Sequence, residues 1–416
     1  MGSTAGGVFT KASLLDRYRK RTSKFKTNGK SRYFGRALRN KEYFAKPDTN
    51  YLPVGNVISQ EIPTEQTTAP STLQVPWLRS ALLDLNSGNY QHGACRPTEV
   101  LIGKKKRVLD RIRFNDKWIQ GIAADAAAAH IDKSLYDGVH GFRPKRSCHT
   151  ALRHVVQILK ETGSRYVARL DISKFYDNIP LGLLREKVDK AGFPNELTIF
   201  LRGTLDTAVR TWHGDKGLPT GWPINPTLAN LFLRDSDREI ERLAPLFVRY
   251  ADDYFVPVRS FEEGQRLLRV VTEILGNLGL VPSEDKTEPN FLAGNSETIL
   301  PFLGHLISMR ADSTAGNPIR ITPHFTAIGK IQSTIDAAIS EYTADEYKDS
   351  GEFLREVSLY LKGVSGYYST YNKGWGLDRE GAAIDTLNIG LRSYLLQHFS
   401  AVSINELAFR PRPLRK

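Results

Sequence analysis

The sequence predicts an α+β fold, and three stretches carry that expectation. Tyr166 to Leu170 is a short β-prone run that ends at Asp171. Leu246 to Val258 is β-prone on both sides of Ala251-Asp252-Asp253, which predicts a hairpin with the two aspartates at its turn. Helical patterns flank that hairpin. Asn225 to Leu243 puts Leu228, Leu231, Phe232 and Leu243 on one face, with Asn225 as N-cap and Pro226 in the first turn. Ser260 and Glu263 make a capping box, and the helix they open buries Leu267, Val271, Ile274 and Leu278.

The remaining segments follow in chain order. Residues 1 to 46 are strongly basic, and Tyr18, Phe25, Tyr33 and Phe34 interleave with the cations. That mixture suits phosphate contacts with base stacking, against the plainer alternative of a solvated tail. Residues 47 to 75, rich in Pro, Thr and Gln, read as a linker or an extended wrap. The pattern becomes globular at about residue 76. Asn115 to Ile131 is an alanine-rich helix with a capping residue in front. From about residue 325 onward the chain reads as mostly helical.

Composition bounds the function. The 416 residues suffice for two or three domains, and 40% hydrophobic residues are ordinary for a globular protein. No run approaches ~18 consecutive apolar residues, so a membrane-spanning helix is not expected. The two cysteines, Cys95 and Cys148, form no CxxC pair. This excludes a zinc ribbon, argues against a disulfide framework, and with the lack of a signal-peptide core fits the cytoplasm. The 58 Lys and Arg outnumber the 45 Asp and Glu, giving a net charge of +13. Such an excess points to a polyanionic partner. No basic amphipathic helix with an aromatic face stands out, so nucleic acid is favoured over a membrane surface.

Three motifs carry chemistry. In RYADDYFVPV, 249 to 258, two adjacent carboxylates sit where a hairpin turns. Adjacent like charges are unfavourable unless a cation neutralises them, and hard divalent ions such as Mg²⁺ prefer oxygen ligands. A polar turn is the alternative. In RLDISKFYDNIP, 169 to 180, Asp171 closes a strand and supplies a third carboxylate. Asp177 reads as a turn residue, because the β-run ends at Asp171. Two-metal phosphoryl transfer needs carboxylates from separate elements to hold ions ~3.5–4 Å apart. GLPTGWPINPTLANLFL, 217 to 233, is a Gly/Pro-rich loop entering a helix, where glycine backbone can approach a nucleotide or template closely.

In this order the three motifs resemble those of the reverse transcriptases. Tyr250-Ala251-Asp252-Asp253 looks like the family's YxDD box, Asp171 its first metal aspartate, and Gly217 to Asn230 its LPQG…SP…AN stretch. Further matches are HGFRPKRSCHTAL at 140 to 152, KKKRVLDRIRFNDKWIQ at 104 to 120, LVPSEDKT at 280 to 287, PFLGHLI at 301 to 307 and LKGVSGYYSTY at 361 to 371. Several are close to group II intron and related bacterial enzymes.

The resemblance implies a right-hand polymerase fold with fingers, palm and helical thumb, plus a basic N-terminal extension. The implied division is 1–75 extension and linker, 76–165 fingers, 166–320 palm and 321–416 thumb and tail. Asp171, Asp252 and Asp253 become the catalytic residues, holding two Mg²⁺ ions. Lys106, Arg107, Tyr176, Thr220, Gly221 and Lys286 become contacts to the deoxynucleoside triphosphate. Arg17, Arg19, Lys20, Arg21, Arg143, Lys145 and Arg146 become RNA contacts. Tyr176 stands where the family places its gate against ribonucleotides. Thr220 departs from the usual Gln, and Asn225 from the usual Ser before Pro226.

The implied activity copies an RNA template into DNA, with a structured noncoding RNA as template in antiphage defence. The chain ends soon after the thumb, which sets it apart from maturases with a further DNA-binding or nuclease region. Group II intron, retron and diversity-generating enzymes, an untemplated polymerase, and an inactive RNA-binding protein of the same fold are the alternatives.

Overall fold

The computed structural model describes residues 7–10, 76–93, 95–102, 105–212, 214–284, 287–291, 300–309, 319–344 and 350–368. The expectations for residues 11–75, Lys286 and the segment after residue 368 lie outside the described residues. The chain divides into two compact units, with the boundary between Asn290 and Phe291 for the described residues. Among the described residues no helix is long and apolar enough to cross a membrane.

The first unit is built on a four-stranded sheet of order β4-β5-β3-β6. Its strands are β3 (Tyr166–Asp171), β4 (Val248–Tyr250), β5 (Asp253–Val258) and β6 (Glu288–Phe291). The expected hairpin forms. Tyr250 pairs with Asp253, leaving Ala251 and Asp252 as a two-residue loop. Ala251 takes φ 58°, the positive value such tight hairpin loops require at their first position. Asp253 is therefore not in the turn but opens β5, because the ladder closes one residue earlier than expected.

A separate two-stranded hairpin joins β1 (Arg96–Ile102) and β2 (Lys105–Arg111). The helices are α1 (Pro76–Ser87), α2 (Phe114–Ile131), α3 (Cys148–Thr162), α4 (Phe175–Asn178), α5 (Leu181–Lys190), α6 (Asn195–Trp212), α7 (Asn225–Leu243) and α8 (Phe261–Gly276). α3 and α8 pack on the sheet, and α7 packs against α2, α5 and α8.

Several local expectations shift by a residue. α2 starts at Phe114, after Arg113 with no side-chain cap, so Asn115 lies inside the helix. The residue before α7 is Ile224, and Asn225 instead turns its amide back to the carbonyl of Pro219. Leu228, Leu231 and Phe232 are fully buried, but Leu243 is 51% exposed where the helix runs out of the core. Ser260 does cap α8 by accepting from the Glu263 N–H, while the Glu263 carboxylate reaches the N–H of Arg259 rather than that of Ser260. The centre of the α8 buried stripe is Leu268, Val271 and Leu275. Leu267, Ile274 and Leu278 sit half-buried at its edge, since a 3.6-residue period lets adjacent rows share one apolar face.

A buried ion pair fixes the hairpin. Arg249 on β4 and Asp237 on α7 both have fully buried side chains, 2.6 Å apart from Nη2 to Oδ2, with Nε donating to Oδ1 at 2.9 Å. Arg249 Nη1 also donates to Asn230 Oδ1 at 3.1 Å and to the Ala251 carbonyl at 2.8 Å. The Tyr254 hydroxyl donates to Asp237 at 3.0 Å. Burial pushes the Asp237 carboxyl up, and Arg249 opposes it. Asn230 in turn donates to the Gly141 carbonyl at 2.8 Å. A Cβ on Gly141 would lie 2.5 Å from the Ala251 nitrogen, so only glycine fits there.

Near the N-terminus, Phe9 is buried with its ring centroid 5.3 Å from that of Phe200 on α6. Residues 7–10 are thus anchored to the core rather than solvated.

The second unit holds a three-stranded antiparallel sheet, β7 (Leu300–Phe302), β8 (His305–Met309) and β9 (Ile319–Pro323), and the helices α9 (Phe325–Ala344) and α10 (Ser350–Tyr368). Leu303 and Gly304 both take positive φ, 50° and 77°, in the two-residue turn from β7 to β8. Tyr342 of α9 stacks on Phe353 of α10 with centroids 4.5 Å apart.

Two substitutions test this packing by urea unfolding. Arg249→Met leaves Asp237 buried without its counter-charge and should cost about 3–5 kcal/mol, much of which Arg249→Met with Asp237→Leu should restore. Phe9→Ala should cost about 3 kcal/mol, whereas an undocked tail would leave the midpoint unchanged.

Candidate active site

Asp171 ends β3 and lies in register with Asp253 at the start of β5. The Ile172 N–H donates to the Asp252 carbonyl at 3.3 Å, which joins the turn to the end of β3. Three carboxylate-bearing positions from two strands and one turn therefore meet at one edge of the sheet. Segment 281–283 closes the other side. Ser173 donates to the Val281 carbonyl at 2.9 Å, and Ser283 donates to the Asp171 carbonyl at 2.7 Å.

The electrostatics of this edge are unfavourable without a cation. Burial pushes the Asp253 carboxyl up to about 6, Arg169 opposes the rise, and the charges of Asp171 and Asp252 add to it. Arg169 answers part of the charge with a two-pronged pair to Asp253, Nε to Oδ1 at 3.1 Å and Nη2 to Oδ2 at 3.0 Å. Among the described residues, no three His, Cys, Asp or Glu side chains are gathered as a ready-made metal group. The Asp253 carboxylate is engaged by Arg169. The donor chemistry still suits a hard divalent ion, because the oxygens are carboxylates and crowd like charges together.

Tyr176, on α4, is half-buried, and its hydroxyl is pushed up by burial and then by the charge of Asp252. Its hydroxyl thus lies within electrostatic reach of Asp252. The loop before α7 is strapped to the same segment. Leu218 donates to the Tyr176 carbonyl and Gly217 to the Ile179 carbonyl, each at 2.9 Å. Gly217 and Gly221 take φ 99° and 100°. Thr220 is half-buried and Gly221 exposed. The backbone of Lys106 and Arg107 lies on β2 opposite Leu101 and Val100, close to the turn of the β1–β2 hairpin.

The expected RNA contacts fare unevenly. The Arg143 guanidinium is spent inside the protein, and its side chain is only 6% exposed. It donates to Asp132 and to the carbonyls of Asp132, Tyr136 and Val139, so it braces the loop before α3. Arg146 pairs with Asp137 and keeps partial exposure. Lys145 is exposed, with φ 61°. Arg17, Arg19, Lys20 and Arg21 lie outside the described residues.

Two residues escaped the sequence reading. Arg169 could have been found from strand periodicity, since it shares a face of β3 with Asp171 two positions on. Asp110 bonds to the backbone of Thr220, and its only signal was being the single acid in the run KKKRVLDRIR.

Comparison with known proteins gives a family match and several relatives. Residues 102–307 match the family described as Reverse transcriptase (RNA-dependent DNA polymerase). The group II intron-encoded protein LtrA of Lactococcus lactis subsp. cremoris is 27% identical over 263 residues, covering 59% of this chain and 41% of LtrA. The chain thus spans about two fifths of that relative's length. An uncharacterized 91 kDa protein in the cob intron of Schizosaccharomyces pombe is 32% identical over 147 residues, 34% of this chain and 17% of the relative. The solved apo telomerase of Candida tropicalis aligns with a TM-score of 0.42 and 13% identity, over 68% of this chain and 58% of the telomerase. Residues 102–307, which match the reverse transcriptase family, hold all three aspartates, so the candidate site lies inside the matched domain.

Proposed function

We propose that this protein is an RNA-directed DNA polymerase that works by metal-assisted phosphoryl transfer. The observation that carries the proposal is the pairing of Asp171 with Asp253, beside the turn that holds Asp252, inside the matched domain. A primer 3′-oxygen attacks the α-phosphorus of a deoxynucleoside triphosphate. The new O–P bond forms as the bond to the β-phosphate oxygen breaks, and pyrophosphate leaves. Asp171, Asp252 and Asp253 are the residues that would hold Mg²⁺, which supplies charge neutralisation and a more acidic 3′-hydroxyl when bound.

The other roles belong to the same proposal. Tyr176 stands beside the 2′ position of the incoming sugar, and its ring excludes a hydroxyl there. Thr220 and Gly221 line the sugar and base, and Lys106, Arg107 and Lys286 meet the triphosphate. Fingers and palm are assigned to 76–165 and 166–320, and the thumb together with a C-terminal tail to 321–416. A dedicated noncoding RNA as template, and a setting in antiphage defence, rest on the motif resemblance and on the basic residues 1–46.

Asp252→Ala with Asp253→Ala should lower Mg²⁺-dependent nucleotide incorporation on a primed RNA template by about a thousandfold or more, with the fold retained by circular dichroism. Near wild-type incorporation by the folded variant would falsify the assignment. Tyr176→Val should raise the ratio of kcat/KM for ribo- over deoxynucleotides by at least about tenfold. An unchanged ratio in an active variant makes Tyr176 a packing residue instead.

A further inference from the structure

Asp110 is buried on β2, and it grips Thr220 from both sides. The Thr220 N–H donates to Asp110 Oδ2 at 3.1 Å, and the Asp110 N–H donates to the Thr220 carbonyl at 2.9 Å. One residue thereby fixes both peptide groups that flank the Thr220 Cα. With both peptide planes held, φ and ψ of Thr220 are set, and so is the direction in which its side chain leaves the loop. Gly221 follows at φ 100°, and the nearest atom to a Cβ there is Leu109 Cδ2, from the residue beside Asp110.

The opposite end of the loop is tied elsewhere. Gly217 and Leu218 bond to Ile179 and Tyr176, just beyond the catalytic strand β3. Residues 217–220 therefore form a short strap between the Tyr176 segment and the β1–β2 hairpin. Arg107 lies three positions along β2 from Asp110, about 10 Å away at strand rise. The strap thus links the three places where the proposed polymerase meets its nucleotide: the gate, the sugar contact and the triphosphate grip.

We propose that Asp110 is a positioning residue for the nucleotide pocket, locking loop 217–221 to the β1–β2 hairpin so that the sugar-facing and triphosphate-facing ends of the pocket keep a fixed spacing. This rests on the polymerase reading above. Asp110 touches no substrate; it acts through the Thr220 backbone. Its acceptor is what matters, so an amide oxygen at the same position does the same work. The lock acts on binding of the nucleotide more than on the chemical step, because the carboxylate edge is held by a different network, that of Arg249 and Asp237.

The test uses the full-length protein and primer extension with a single deoxynucleotide on a primed RNA. Asp110→Ala should raise KM for the nucleotide about tenfold while kcat changes less than about threefold. Asp110→Asn, whose side-chain oxygen can still accept, should hold KM within about threefold of wild type. Wild-type KM in Asp110→Ala overturns the proposal, as does an Asp110→Asn variant as impaired as Asp110→Ala. A second measurement does not depend on activity. Hydrogen exchange of the Thr220 amide should be slow in the wild-type protein and at least about tenfold faster in Asp110→Ala. Fast exchange of that amide in the wild type overturns the lock even if Asp110→Ala does not fold. Absence of incorporation by the wild type with a protected Thr220 amide would instead count against the polymerase reading and leave the lock standing.

Discussion

The buried pair of Arg249 and Asp237 is the constraint on which the rest of this site depends. Removing two charges from water is unfavourable by several kcal/mol per ion, and only near-ideal geometry with every polar atom partnered offsets it. Here that condition is met by a two-pronged contact, by the Tyr254 hydroxyl on the carboxylate, and by Asn230 and the Ala251 carbonyl on the guanidinium. The partners come from α7, β4, the turn and β5. All of these contacts must hold at once for the pair to stay satisfied, so the pair ties helix, strands and turn together. Its position also has an electrostatic consequence. The charge of Asp252 is felt at Arg249, so the buried cation offsets part of the negative charge at the turn.

The sequence disclosed those parts of this arrangement that are local. β3, the β4–β5 hairpin and the helices α7 and α8 were legible because periodicity and turn chemistry act over a few residues. The errors are local too. Asp253 moved from turn to strand because a two-residue loop suffices, and the α8 stripe moved by one row because both rows are apolar. Asn225 fits an N-cap by residue type, but it is already the first residue of α7, with Ile224 in the cap position, and its amide donates to the Pro219 carbonyl.

What could not be read were pairings distant in the chain. Asp110 and Thr220 are far apart in sequence and meet only in the fold. Arg143, an RNA contact by resemblance, spends its guanidinium on the carbonyls of Tyr136, Val139 and Asp132, contacts that no sequence pattern displays. Arg169 has the opposite lesson. Its neighbour Asp171 drew attention, yet the pattern of alternate strand residues already placed an arginine beside a crowd of carboxylates. That arginine softens the repulsion by pairing with Asp253.

The turn that presents Asp252 is made with alanine at positive φ, where glycine would be comfortable. A left-handed alanine is strained by roughly 1 kcal/mol relative to glycine. In exchange the turn has fewer shapes to choose from. The neighbouring Gly141 backs directly onto it, and the Ala251 carbonyl is already taken by Arg249. Relaxing that alanine to glycine would therefore pull two properties in opposite directions: the fold would gain a little in equilibrium stability, while the carboxylate would wander over a wider arc. The chain stands at the rigid end of that exchange, which suits a group whose usefulness depends on where its oxygens are rather than on how tightly the protein is folded.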